Sequence, residues 1–171
     1  MRKTMFSESG SWYKGNLHSH TTNSDGRLTS AEAAAFYKNN GYHFLCLSEH
    51  DYYTDLRDQI DGETFILLPG VEASVNLLDE TGSYVKKTHH IHGILGNEAM
   101  RKAAGEKLLK HGERLIPPRF YGEWDGLKAA QDMIDTLNAR GCFTTYNHPA
   151  WSRVHFDVVA DFYHVWAVEV I

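Results

Sequence analysis

Short apolar runs alternate along this chain with helix-forming segments, and most of the runs hand over to a histidine or a carboxylate. Phe44 to Leu47 has the continuous apolar character of a strand buried on both faces, and it leads into Ser48-Glu49-His50-Asp51. Phe65 to Leu68 leads likewise into Pro69-Gly70-Val71-Glu72, Cys142 to Tyr146 into Asn147-His148-Pro149, and a last run, Val165 to Ile171, carries Glu169. Between them, Thr29-Ser30-Ala31-Glu32 has the T-x-x-E form of a capping box opening a helix that stops at Gly41. Asp125 caps another, in which Leu127, Ala130, Ile134 and Leu137 make one apolar stripe ending at Gly141. Strands alternating with helices predict a parallel α/β architecture. Polar residues at the C-terminal ends of successive strands favour a barrel over an open sheet, because barrel enzymes assemble their sites there.

Histidines carry the strongest chemical signal. In Asn16-Leu17-His18-Ser19-His20, side chains two apart on a strand share a face, so His18 and His20 project together as a metal clip. Taken alone, the HxH pattern equally describes two surface histidines at a strand end. Asp25 follows in Ser24-Asp25-Gly26, where the carboxylate either reaches the same pocket or closes an Asx turn. In Thr88-His89-His90-Ile91-His92-Gly93-Ile94-Leu95, a fourth strand, alternation puts His90, His92 and Ile94 on one face. Tyr53 to Gln59 reads as a short helix. Residues 97–124 read as an excursion over one end of a single domain spanning 1–171, helical through EAMRKAAGEKLLK and irregular around Pro117-Pro118.

The 171 residues, 42% of them hydrophobic, suffice for one core, and a net charge of −5 with scattered basic residues excludes an electrostatic footprint for extended nucleic acid. A small phosphate ester or nucleotide stays open, since bound cations would supply charge locally. Cys46 and Cys142 sit inside apolar runs without CxxC spacing and read as buried thiols of a reducing compartment, with no disulfide. Ser7, Glu8 and Ser9 interrupt the N-terminus before an apolar signal segment forms, and no run approaches the ~20 apolar residues of a membrane span. A cytoplasmic protein with no membrane partner is expected.

Taken in order, HSH, SDG, SEHD, PGVEAS, THHIHGILGN and YNHPAW resemble the PHP family, the polymerase and histidinol phosphatase domain, over nearly the whole chain. The resemblance implies a distorted (β/α)7 TIM-like barrel holding two or three divalent metals, often hydrolysing phosphate esters. Carried over by residue, a first metal takes His18, His20 and Glu72; a second shares Glu72 and adds His90 and His148; a third takes Asp25 and His50. His90 is preferred to His92 because it stands seven residues before Asn97, as the family's ligand does before its Asn, although His92 shares the strand face. Glu49 and Asp51 are read as orienting imidazoles rather than ligating, and Glu169 as structural or orienting. His43, His111, His155 and His164 match no motif position. The family's last strand brings a Gly-x-Asp-x-His motif that this chain lacks. Since such a barrel takes roughly 200 residues or more, the sequence reads as part of a longer protein, its barrel truncated after the sixth strand.

The implied chemistry is hydrolysis of a phosphate ester by a metal-activated water, with Glu72, His18, His20 and His148 at the reacting centre. Mixed imidazole and carboxylate ligands suit Zn, Mn or Fe. Arg27, Arg119 and Arg153 are the candidates to grip phosphate, through the planar fork of a guanidinium. A barrel of this type could equally cleave an amide or other C–N bond, or keep its metals as a non-catalytic module, and the ligand set does not choose among these.

Overall fold

The computed structural model describes residues 9–170; the readings made on residues 1–8 and on Ile171 lie outside them. Among the described residues the chain forms seven strands, β1 (Gly15–Asn16), β2 (Phe44–Leu47), β3 (Ile66–Leu78), β4 (Val85–Leu95), β5 (Arg119–Tyr121), β6 (Cys142–Tyr146) and β7 (Val165–Val168). The α-helices are α1 (Ser30–Asn39), α2 (Arg57–Ile60), α3 (Glu98–Ala104), α4 (Gly126–Ala139) and α5 (Phe156–Ala160). Strands follow the order β1-β2-β3-β4-β6-β7, with β5 beside the end of β3, in a mixed α/β fold whose sheet curls into a half-barrel.

The local signals for the two long helices act as read. Thr29 and Glu32 cap each other's backbone in a complete capping box, and the Asp125 side chain accepts from the backbone N–H of Lys128. In α4, Ala130, Ile134 and Leu137 are fully buried, whereas Leu127 lies at the rim, 36% exposed. Two other helices are shorter than expected. The segment after Asn97 leaves the α-helix at Gly105, which turns to φ 55, and the expected Tyr53 to Gln59 helix is reduced to Arg57–Ile60.

Sheet direction differs most from expectation. β1, β2 and β3 run parallel, as do β6 and β7, but β4 is antiparallel to both β3 and β6. The expected third strand ends at Leu68; the observed one continues through Pro69 to Leu78. Proline has no N–H to give a ladder, and here it stands where the strand changes partners: Pro69 is the last residue in register with β2, and Gly70 is the first paired with β4. The chain then reverses at Asp79, whose carboxylate accepts from the N–H groups of Ser83 and Tyr84. Glu72, His90 and His92 therefore lie in mid-strand, not at strand ends.

Period-two alternation divides the faces of this hairpin. Val71, Ala73, Val75 and Ile91 turn to one side and pack with Ala130, Ile134, Leu137 and Tyr146 in the main core. Ala33 and Ala34 of α1 cover Leu45, Leu47, Phe65 and Leu67 in a smaller one. Cys46 and Cys142 are buried free thiols. Among the described residues, no helix is long and apolar enough to cross a membrane.

Candidate metal centre

On the face of the sheet opposite α4, five imidazoles surround one carboxylate. Glu72 is fully buried, and its oxygens lie 3.2 Å from His18, 3.4 Å from His20, 3.1 Å from His50, 3.5 Å from His90 and 3.0 Å from His148. The loop after β2 holds both backbone groups of Glu72. Its N–H donates to the Glu49 carbonyl, and its carbonyl accepts from the Asp51 N–H, so His50 is presented directly beside it. Across the hairpin, Glu72 is in register with His92 and Ser74 with His90.

His18 and His20 do not lie on a strand, since β1 stops at Asn16 and Leu17 is 37% exposed. Their convergence has another cause. Ser19, between them, is tied to the other strand, accepting at its carbonyl from the Ser48 N–H and donating from its hydroxyl to the Cys46 carbonyl. The flanking imidazoles are thereby turned inward, their Nε2 atoms 2.9 Å apart. The loop that follows is tight: a Cβ on Gly26 would sit 2.2 Å from the His20 carbonyl oxygen, so only glycine fits. It carries Asp25 back to the rim, 3.5 Å from both His20 and His50, with its side chain 66% exposed.

Outer partners orient the two leading imidazoles. Glu169, just past β7, lies 3.0 Å from His18 Nδ1, which places the N–H on that nitrogen and leaves Nε2 facing Glu72. Glu49 is fully buried and accepts from the Thr21 backbone N–H and from the hydroxyls of Thr21 and Ser24; Ser24 Oγ is in turn 3.3 Å from His20 Nδ1. Glu49 thus acts on His20 through Ser24. Asp51 accepts from the Ser74 N–H, joining its loop to β3.

Electrostatics follow from this crowding. Burial by itself would raise the Glu72 carboxyl, but hydrogen bonds from His148, His18 and His20 overcome it and hold the group ionised far below the usual range. Burial would lower His18, yet Glu72 and then Glu169 raise it to about 9. For His90 burial prevails over the attraction of Glu72 and lowers it to about 4; fully enclosed His92 falls to about 3 for the same reason.

Four groups of these residues bring ligand atoms within 4.8 Å of one another: His18, His20 and Glu72; His18, His148 and Glu169; His20, Asp25 and His50; and His50, Glu72 and His90. The donor set suits a divalent cation. So does His90 Nδ1, a buried atom without a hydrogen-bond partner among the described residues, since an orphaned buried polar atom otherwise costs about 1–3 kcal/mol. His92 stands apart from these groups, its Nε2 3.5 Å from the Cys46 thiol. A cavity of about 300 Å³ opens over the cluster, lined by His20, Asp25, His50, Glu72, His90, His148 and Trp151.

None of the three candidate arginines lines this cavity. Arg27 is exposed on the loop before α1, Arg119 is exposed on β5, and the Arg153 guanidinium donates to the Lys86 carbonyl in a neighbouring cleft. Two residues of YNHPAW join the site without having been singled out. Asn147 is buried and donates to Glu72 Oε1 at 2.7 Å, and Trp151 stacks on His90. The alternation of β6 could have revealed Asn147, since Tyr146 belongs to the core and its neighbour must face the other way.

No protein-family model matches the chain, and no curated protein matches it. Among solved structures it is similar to an amidohydrolase from Chromobacterium violaceum, solved with bound sulfate and no metal, with a TM-score of 0.56 and 16% identity over 91% of this chain and 75% of that one. At that identity the likeness is one of fold.

Proposed function

We propose that this chain forms a metal-dependent hydrolase site acting on a small-molecule phosphate ester, of the kind found in the distorted (β/α)7 barrels of the PHP family. The observation that carries the reading is the convergence of five imidazoles on the single buried carboxylate of Glu72. His18, His20, Glu72, His90 and His148 would hold two cations, and Asp25 with His50 a third. Zn, Mn or Fe held there would supply Lewis acidity and activation of water near neutral pH. The chain's own groups do the rest. Glu72 stays ionised and places negative charge between the imidazoles, while Glu169 and Glu49 hold His18 and His20 in the orientation that turns Nε2 toward Glu72. Asp25, at the exposed rim beside His20 and His50, stands where a substrate would enter.

Hydrolysis of an amide or other C–N bond is the second reading, favoured by the fold shared with a protein named an amidohydrolase. Elemental analysis, followed by a panel of phosphate mono- and diesters against amides, tests both. Release of phosphate that disappears with chelator and in Glu72→Gln supports the first reading. Amide turnover alone supports the second, and inactivity on both panels with metal bound overturns both.

A further inference from the structure

We propose, resting on the hydrolase reading above, that the cleft beside the metal centre is an anion subsite, so that the substrate is an elongated ester whose planar leaving group carries its own negative charge. Along β4, alternation puts Lys86, Thr88 and His90 on one face, and same-face neighbours are about 7 Å apart. The strand therefore leads from the metal centre to a lysine roughly 14 Å away. The turn after β6 folds across this face, closed by bonds from Ser152 N–H to His148, Arg153 N–H to Ala150 and Val154 N–H to Pro149. It lays the Trp151 indole on His90, with ring centres 5.0 Å apart and planes at 25°, while leaving the residue 65% exposed. Two residues on, Arg153 reaches the Lys86 carbonyl at 3.5 Å from a left-handed backbone, φ 58.

The cleft so enclosed has a volume of about 320 Å³ and shares Trp151 as a wall with the metal-centre cavity. Lys86 is paired with Glu80 at 2.8 Å, but Arg153 has no carboxylate partner among the described residues. In a chain of net charge −5, a guanidinium without a counter-ion beside an open indole face is a local reversal of sign. The indole offers a stacking surface to a ring, and the guanidinium a planar fork to a carboxylate or phosphate.

The test compares 2-naphthyl phosphate with the same ester bearing a 6-carboxylate, on metal-loaded protein, by phosphate release. The carboxylate ester should show a higher kcat/KM, on the order of fivefold as an exposed charge pair allows, through a lower KM. Arg153→Asn, which suits left-handed backbone, should bring the ratio toward one, and Arg153→Lys should restore part of it, with unchanged melting temperatures as the check on folding. Equal kcat/KM for the two esters in the wild type overturns the subsite and leaves the hydrolase reading standing. If metal-loaded protein hydrolyses neither ester, the phosphoesterase reading fails and calorimetric binding of naphthalene-2,6-dicarboxylate decides the subsite. Weaker binding by Arg153→Asn than by wild type sustains it, and equal binding overturns it.

Discussion

Replacing Glu72 by Gln in chelator-treated protein should change not only stability but its dependence on pH. The Glu72 carboxylate and the His18 imidazole form a buried pair, with side chains 1% and 15% exposed, so solvent screens their attraction little. His18 is raised from 6.5 to about 9. At ~1.4 kcal/mol per unit, that difference amounts to about 3 kcal/mol of stability carried by the protonated imidazole. The sign follows from the raised value. The folded state holds the proton more tightly than the unfolded chain, so the contribution is fully present below 6.5 and is lost as pH rises through about 9. In Glu72→Gln the burial that depresses His18 remains while its first attractive partner is gone, and only Glu169 still raises it. The variant should be destabilised by about 3 kcal/mol near pH 6, in line with the ~3–5 kcal/mol cost of removing one partner of a buried pair, and by much less near pH 10. Urea denaturation in excess chelator at several pH values measures this. A wild-type stability that stays flat from below 6.5 to above 9, or a Glu72→Gln curve that parallels it, would refute the reasoning.

Three further outcomes are expected. A cation entering the centre must displace the proton on His18, so apparent metal affinity should climb about tenfold per pH unit until pH approaches about 9; competition with a chromogenic chelator checks it, and a flat profile would count against His18 as a ligand. Gly26→Ala forces a Cβ to within 2.2 Å of the His20 carbonyl oxygen, so the loop must shift and metal uptake should fall severalfold, while Gly41→Ala, with open space around it, serves as a control with strained backbone but no contact with the site. Leu137→Ala opens a cavity at a fully buried position between α4 and the hairpin; it should cost about 2–5 kcal/mol by thermal or urea denaturation, yet leave metal per folded molecule unchanged.

Caps, helix stripes and short apolar strands were legible because each depends on neighbours within a few residues. Thr29 with Glu32, Asp125 with Lys128, and the run from Cys142 to Tyr146 behave as a local reading requires. Sheet direction was not legible in the same way. A strand's apolar pattern is the same whichever way its partner runs, and Pro69 resembles a terminus unless the partner on each side is known. The turn at Asp79, Thr81 and Gly82 did carry a signal, a carboxylate followed by hydroxyl and glycine, which marks a reversal too short for a helical crossover. For the same reason the arginines could not be placed: a guanidinium on a long flexible stem is located by the surface it crosses, and Arg153 is located by the Lys86 carbonyl on another strand.

The reversal at Asp79 also accounts for the form of the site. An antiparallel hairpin sets residues of its two strands directly opposite one another, so the Glu72 position faces His92 and the Ser74 position faces His90, all on one side of the sheet. With Glu72 in mid-strand its N–H and carbonyl are both bonded to the loop of Glu49 to Asp51, while on the other edge it stands in register with His92 of β4. A carboxylate at a strand end would keep rotational freedom. Here it is fixed, and the imidazoles come to it from four separate segments: the turn after β1, the loop after β2, β4 itself and the turn after β6. Each segment is anchored by a backbone bond made beside its histidine: Ser48 N–H to Ser19, Glu72 N–H to Glu49, and Asn147 N–H to His90. A centre built this way has its geometry set by the sheet before any cation arrives, so metal binding should order the centre little beyond what the chelated protein already shows, and amide exchange of β3 and β4 should be slow in both states.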